Sequence, residues 1–220
     1  MTSSLKRGTE ANQLRKLDIG AGTQGLGNIN VDVRRLSHIE VVCTGTHLPF
    51  GGSVFDAVYL RDVIEHLRYG DVQLVLEEVR RVMKPEGLLE LWTPNFQSIS
   101  LAIVWLFGVS RDPRRRSLYP PLTGDQDYPE NVHLSQWSMK LLEDYLHSAG
   151  LRVVIAETVG DYRGRLRPVG LLIRILRNRG GIIHLVARRE RGSSGFVGER
   201  RKALSLSRNE DLSNSQKVSQ

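Results

Sequence analysis

The chain has 220 residues, of which 40% are apolar and 25% charged, and its net charge is +7. This size predicts one α/β domain with a modest extension, and the composition excludes a collagen-like or wholly disordered chain. The single cysteine, Cys43, excludes an intramolecular disulfide framework and a cysteine-based zinc site, and it favours a reducing compartment.

The N-terminal segment, residues 1–12, is polar and is expected to be flexible. It lacks the apolar stretch of a secretory signal. The most apolar run, Ile99 to Val109, is too short to cross a bilayer, which needs about 20 residues. A cytoplasmic protein is therefore expected, with a peripheral contact to an anionic membrane left open.

Seven short apolar runs alternate with helical stretches, which predicts an α/β fold with a largely parallel sheet. The predicted strands are Leu14–Ile19, Ile29–Val33, Ile39–Val42, Phe55–Leu60, Leu88–Thr93, Arg152–Thr158 and Ile182–Ala187.

Three helices are predicted between the later strands. One runs from Asp71, as N-cap, to Met83 and is closed by Pro85 and Gly87; another runs from Ser138 to Gly150. The third, Ile99–Phe107, is apolar on nearly every side. It is expected to be buried, to cover a site or to contact a membrane surface.

Residues 152–191 carry ten arginines against three acidic residues. This concentration of positive charge favours a phosphate-bearing, nucleic-acid or anionic-lipid partner, although a solvated arginine-rich surface explains it equally well. Residues 192–220 are rich in Ser, Gly, Asn, Gln and Arg and are expected to form a disordered tail.

A glycine-rich turn follows the first predicted strand. Gly20, Gly22 and Gly25 spell G-x-G-x-x-G, but no helix is predicted after them to hold a pyrophosphate, so NAD is only a minor alternative. Asp32 ends the second strand, where a carboxylate can bind ribose hydroxyls. Asp18 is expected to meet backbone amides or a cationic ligand, or simply to cap the turn.

Four motifs, the first of which contains this glycine turn, occur in a fixed order. Together they resemble the motifs of class I S-adenosylmethionine-dependent methyltransferases of the type 11 kind. The motifs are LDIGAGT (17–23), HLPFGGSVFDAVY (47–59), VIEHL (63–67) and EEVRRVMKPEGLLELWTPN (77–95). The resemblance implies a Rossmann-like sheet of seven strands in the order 3-2-1-4-5-7-6, with helices on both faces and the seventh strand antiparallel. It also implies S-adenosylmethionine as the cofactor.

The resemblance further implies which residues bind the cofactor. Asp18, Gly20 and Gly22 are expected at the methionine moiety and Asp32 at the ribose. The stretch containing Thr44 and leading to Leu48 is expected at the adenine, and Leu60, Arg61 and Asp62 are expected to close over the methionine end. The short link from Gly22 to Ile29 resembles a compact-loop subgroup that is often associated with surface-polysaccharide biosynthesis.

Two histidines are candidates for catalysis. His66 and His133 both fall near the ligand edge of the predicted sheet, and imidazole can take a proton near neutral pH. The alternative is that Glu65 and His66 only order the turn. The six histidines lack a metal-ligand spacing, so no metal site is predicted.

The sequence therefore predicts a methyltransferase domain over residues 13–191, acting on the hydroxyl group of a small molecule or a saccharide. Residues 96–130 are expected to be an acceptor-recognition insertion. Two alternatives remain, namely a lipid-linked acceptor at a membrane surface and a non-catalytic nucleotide-binding subunit. No specific nucleic-acid partner is predicted.

Overall fold

The computed structural model describes residues 14–98, 124, 126–159 and 181–190. The structure does not describe several segments interpreted from the sequence: the N-terminus expected to be flexible, the predicted helix Ile99–Phe107, most of the 96–130 insertion, the 192–220 tail and most arginines of residues 152–191. In the described ranges, no helix is long and apolar enough to cross a bilayer.

Seven strands form one mixed sheet in the order β3-β2-β1-β4-β5-β7-β6. Only β7 runs antiparallel to its neighbours β5 and β6, so the expected strand order and direction are confirmed. The strands are β1 (Lys16–Ile19), β2 (Ile29–Asp32), β3 (Val41–Val42), β4 (Phe55–Arg61), β5 (Met83–Pro94), β6 (Leu151–Val159) and β7 (Ile182–Arg189).

The helix before β5 differs at both ends from its prediction. Helix α1 spans Tyr69–Val82, and Arg68, rather than Asp71, is its N-cap. Asp71 lies in the first turn, where a carboxylate is favoured by the helix dipole. At the other end the chain passes directly into β5, because Met83 pairs with Phe55 of β4. Pro85 and Gly87 therefore belong to the strand and do not close the helix.

The second described helix, α2 (Met139–Ser148), agrees with its sequence signals. The side chain of Ser138 accepts a hydrogen bond from the Leu141 amide at 3.3 Å, as expected of an N-cap. Gly150 follows the C-cap residue Ala149 with a φ of +73°. Glycine adopts this left-handed conformation without steric cost, which explains why the helix ends here.

The core lies between the sheet and these helices. The apolar face of α1 is buried through Val72, Val75, Leu76, Val79 and Val82, none more than 1% exposed. Each such side chain contributes about 1.5–3 kcal/mol through burial. This packing fixes the sheet edge at which β1, β2 and β4 end.

The link between β1 and β2 contains only the nine residues 20–28 and carries no helix. A parallel connection usually needs a dozen residues or more. Here the returning chain stays close to β1, since the Asn28 amide donates to the Lys16 carbonyl at 2.9 Å. A Cβ atom on Gly27 would lie 2.4 Å from the Ile29 carbonyl oxygen, so only glycine fits in this return.

Candidate active site

A cavity of about 480 Å³ opens at the carboxyl ends of β1, β2, β3 and β4. In open parallel sheets ligands bind at this edge, and the volume lies within the usual range for small-molecule sites. The cavity is lined by Ile19, Gly20, Asp32, Val33, Arg34, Cys43, Gly45, Asp62, Val63, His66, Leu67, Val75, Tyr128, Pro129, Glu130, Val132 and Leu134.

The glycine turn forms one wall of the cavity. Gly20 has a φ of +67° and its amide donates to the Val31 carbonyl at 2.8 Å. A Cβ atom at Gly20 would lie 2.6 Å from Cγ2 of Val63, another lining residue. The turn therefore needs glycine both for its backbone conformation and for its close approach to Val63.

The carboxylate of Asp32 is held by hydrogen bonds from Gly22 and Arg34. Its Oδ2 accepts from the Gly22 amide at 3.0 Å, and its Oδ1 accepts from the Arg34 amide at 2.8 Å and from Arg34 Nε at 3.2 Å. Burial acts to raise the pKa of Asp32, but the hydrogen bonds from Arg34 and Gly22 lower it below its usual value. Asp32 is therefore ionised near neutral pH and is fixed in orientation.

Arg34 and Tyr128 form a second wall next to Asp32. The guanidinium carbon of Arg34 lies 4.2 Å from the centre of the Tyr128 ring, which is a cation–π contact. Tyr128 comes from the segment assigned by sequence to acceptor recognition. The structure thus brings one residue of that segment against the Asp32 side of the cavity.

Asp18 lies outside the cavity lining, in the sheet. It is 1% exposed, and its Oδ2 accepts from the Leu26 amide at 2.8 Å and from Nη2 of Arg61 at 3.2 Å. Burial raises the pKa of Asp18, and these two partners oppose that rise. Asp18 thus bonds a backbone amide and Arg61, and it fastens the compact link to β1.

Of the nine residues expected at the cofactor, Gly20, Asp32 and Asp62 line the cavity. Six others lie outside its lining: Asp18, Gly22, Thr44, Leu48, Leu60 and Arg61. Thr44 is exposed, with its neighbours Cys43 and Gly45 on the cavity wall, whereas Leu48 and Leu60 are core residues. Gly22 contributes its amide to Asp32 and has a φ of +56°.

The two candidate catalytic histidines lie together although they are far apart in the sequence. The rings of His66 and His133 are 4.9 Å apart and nearly perpendicular. His66 lines the cavity, and its Nδ1 donates to the Val132 carbonyl at 3.3 Å. Burial lowers the pKa of His66, so its ring is neutral near pH 7.

Glu65 lies beside this pair in a short 3₁₀ helix, Ile64–His66. It is 2% exposed, and its Oε2 accepts from Oγ1 of Thr93 on β5 at 2.9 Å. Burial and the neighbouring charge of Asp62 raise the pKa of Glu65 to about 8. A buried carboxyl group of this kind is typical of functional sites.

The segment that carries His133 is bonded to the 3₁₀ helix through the main chain. The amides of Leu134 and Ser135 donate to the Glu65 carbonyl at 2.7 and 3.1 Å, and Oγ of Ser135 donates to the Ile64 carbonyl at 2.9 Å. Trp137, which is buried, donates in turn to Ser135 Oγ at 2.9 Å. These bonds fix His133 next to Glu65 and His66.

Sequence reasoning missed several residues of this site. Arg34 lies two residues after the end of β2 and Cys43 directly follows β3, so their place after a strand is a signal that could have been used. Tyr128, Glu130 and Leu134 come from a segment distant in sequence, and nothing in their local pattern indicates the cavity.

The model of the "Methyltransferase domain" family matches residues 4–91. No curated protein matches the sequence.

Solved structures share the fold at low identity. A Pyrococcus horikoshii protein is 17% identical over 83% of this chain and 84% of its own, with a TM-score of 0.54. An S-adenosylmethionine-dependent methyltransferase from Methanosarcina mazei is 16% identical, covering 81% and 93%, with a TM-score of 0.52. A Burkholderia thailandensis 1,6-didemethyltoxoflavin N1-methyltransferase, solved with S-adenosylhomocysteine, is 15% identical, covering 80% and 71%, with a TM-score of 0.51.

The strand order of the sheet is the fold that these solved methyltransferase structures share, and the methyltransferase domain model matches residues 4–91 of the 220. The fold and this match together indicate an S-adenosylmethionine-dependent methyltransferase.

The cavity fits the cofactor of this class. Gly20 has a positive φ and packs closely against Val63, so no side chain projects into the cavity at this position. The ionised carboxylate of Asp32 lines the same cavity. A carboxylate accepts up to about four hydrogen bonds. Asp32 can therefore accept hydrogen bonds from ribose hydroxyls once a side-chain hydrogen bond from Arg34 is released.

Proposed function

We propose that this methyltransferase acts on a hydroxyl group of a small-molecule or saccharide acceptor, as in surface-polysaccharide biosynthesis. The observation that carries the proposal is one cavity lined by Gly20 and Asp32 together with Asp62, His66 and Glu130. Gly20 and Asp32 suit the nucleoside, and the other three polar residues suit an acceptor rich in hydroxyl groups.

The residues of this chain have separate tasks in the proposal. Asp32 binds the ribose, and the Gly20 turn leaves room for the methionine part. When bound, S-adenosylmethionine supplies a methyl group on a positively charged sulfur, which an oxygen can displace when it is aligned with the carbon–sulfur bond. Alignment is the main requirement, so the protein chiefly has to position the acceptor.

His66 and His133 are proposed to act on the acceptor hydroxyl. His66 is on the cavity wall, and His133 contacts its ring. The polar wall also contains Asp62, which has a φ of +52°. A non-glycine residue held in this conformation is often found at a functional site. Asp62 is accordingly proposed to bind the acceptor or the methionine end of the cofactor.

Calorimetry with S-adenosylhomocysteine, S-adenosylmethionine and NAD tests the proposal. We expect both methionine nucleosides to bind and NAD not to bind. Asp32→Asn should weaken their binding by about 1.5–3 kcal/mol, the range for hydrogen bonds to a charged group. Asp144→Asn is the control, because Asp144 is exposed on α2. Tighter binding of NAD, or no heat with either nucleoside, contradicts the proposal.

The acceptor itself is sought by methyl transfer from labelled cofactor to glycan and metabolite extracts. His66→Ala is expected to reduce the label transferred while the affinity for S-adenosylhomocysteine stays within about threefold. Label appearing only in a lipid fraction would favour the lipid-linked acceptor instead. A chain that binds the nucleoside and labels no fraction would be a non-catalytic binding subunit.

A further inference from the structure

Glu65, His66 and His133 form a cluster whose possible ligand atoms all lie within 4.8 Å of one another. One carboxylate oxygen and two imidazole nitrogens are a donor set that divalent transition metals prefer. No metal site is predicted from the sequence, because the histidines lack a ligand spacing and His133 lies far along the chain from Glu65 and His66.

The strongest evidence that this cluster binds a ligand is one oxygen atom of the Glu65 carboxyl group. Its Oε1 is buried and has no hydrogen-bond partner among the described residues. Leaving a buried carboxylate oxygen unpaired is costly, and a cation would satisfy it. Asp62 adds a further carboxyl group to the lining of the same cavity as His66.

Neighbouring residues hold the side chains of Glu65 and His66 by hydrogen bonds, as the residues around a metal site usually hold its ligands. The other oxygen of Glu65 is held by Thr93, and Nδ1 of His66 is bonded to the Val132 carbonyl. Ligating histidines commonly donate one ring N–H to a carbonyl, and ligating carboxylates are themselves hydrogen-bonded. The main-chain bonds from Leu134 and Ser135 to Glu65 hold the third ligand in place.

We propose that Glu65, His66 and His133 bind one divalent transition-metal ion, of the Zn²⁺, Co²⁺ or Mn²⁺ type, at the wall of the cavity. Metal–nitrogen bonds of about 2.1 Å require the three side chains to draw together slightly. Three protein ligands leave coordination positions open, and one of the ligands, His66, lines the cavity.

The open positions suggest what the metal does. An oxygen atom of the acceptor can occupy one of them, which would orient it and make its hydroxyl more acidic. This second part rests on the proposed function, whereas metal binding does not. The two histidines then act on the acceptor through the metal, and the substrate is one with an oxygen donor beside the methylated position.

Titration with CoCl₂, followed by the visible absorption of bound cobalt and by calorimetry, tests the site. We expect one ion per chain, displaced by Zn²⁺ and not by equal Mg²⁺, because imidazole ligands favour transition metals. Glu65→Gln and His133→Ala should each weaken cobalt binding by at least about tenfold. His147→Ala is the matched control, since His147 is 82% exposed on α2 and outside the cluster.

Each outcome is decisive. Absent binding, unchanged affinity in both variants, or equal displacement by Mg²⁺ overturns the proposal. If Glu65→Gln does not fold, judged by circular dichroism, the half-buried His133 decides the matter alone. S-adenosylhomocysteine affinity is measured on the same samples, so cobalt binding without nucleoside binding would refute the proposed function and leave the metal site standing.

Discussion

Asp18 and Arg61 form an ion pair of 3.2 Å between the neighbouring strands β1 and β4. The same Nη2 atom of Arg61 also donates to the Gln24 carbonyl at 3.0 Å, and Asp18 accepts from the Leu26 amide. Both partners therefore hold the link between β1 and β2. Their effect on a ligand is indirect, through the position of the Gly20 turn.

The first prediction concerns this pair. Asp18→Asn should lower the free energy of unfolding by about 1–3 kcal/mol, because the buried Arg61 contact loses its charged acceptor. Urea unfolding measures the change. Asp144→Asn is the control, since the Lys140–Asp144 pair is exposed and such pairs contribute about 0–1 kcal/mol. Equal effects of the two substitutions would show that the buried pair does not stabilise the link.

The second prediction concerns the glycine turn. Gly20→Ala should abolish measurable binding of S-adenosylhomocysteine, because its Cβ atom would lie 2.6 Å from Val63 at a positive φ. Gly70→Ala is a suitable control, because a Cβ atom there meets nothing within 4 Å. Its affinity should be unchanged, and alanine favours the helix slightly. Normal calorimetric affinity in Gly20→Ala would contradict this account of the turn.

The third prediction concerns Tyr128. Tyr128→Ala should weaken S-adenosylhomocysteine binding by about two- to fivefold, because Arg34 loses an aromatic partner worth about 0.5–1 kcal/mol and no longer holds Asp32 in one orientation. Tyr128→Phe keeps the ring and should bind like the unchanged protein. The comparison is made by calorimetry, and a loss in Tyr128→Phe as large as in Tyr128→Ala would point to the hydroxyl group instead.

Much of the fold could be predicted from the sequence, because each strand is a short apolar run and the motifs occur in order. The site could be predicted best where its residues end or directly follow a strand, as Asp32 and Gly20 do. Asp18 was expected near the ligand because it precedes the glycine turn, but its partner Arg61 lies 43 positions away. Glu65 and His133 likewise meet only through tertiary hydrogen bonds, which no local spacing reveals.

The fourth prediction concerns how the stability supplied by Glu78 and Arg81, which bond the loop before β4, depends on pH. Oε2 of Glu78 accepts from the Leu48 amide at 3.0 Å, and Arg81 bonds Glu78 and the Phe50 carbonyl, each at 2.7 Å. The Arg81 hydrogen bonds lower the pKa of Glu78. A carboxyl group with a lowered pKa in the folded state stabilises the protein above its unfolded pKa of about 4.3.

This stabilisation is lost as the pH falls from about 5 through the lowered pKa of Glu78. Glu78→Gln should cost about 1 kcal/mol near pH 7, a value reduced by the partial exposure of Arg81, and less near pH 3.5. Urea unfolding at both pH values measures the difference. A cost that stays constant with pH would mean that the ionisation of Glu78 does not contribute.

The compact link between β1 and β2 also affects how the sheet can assemble. Leu17 pairs with Ile29 across 12 positions, but with Val58 of β4 across 41. Because the entropy lost on closing a loop grows with the logarithm of its length, the first pairing is cheaper by about 1 kcal/mol. Parallel strands normally form late because their connections are long. In this protein the short link that carries the Gly20 turn can bring the parallel strands β1 and β2 together before β4 pairs with β1.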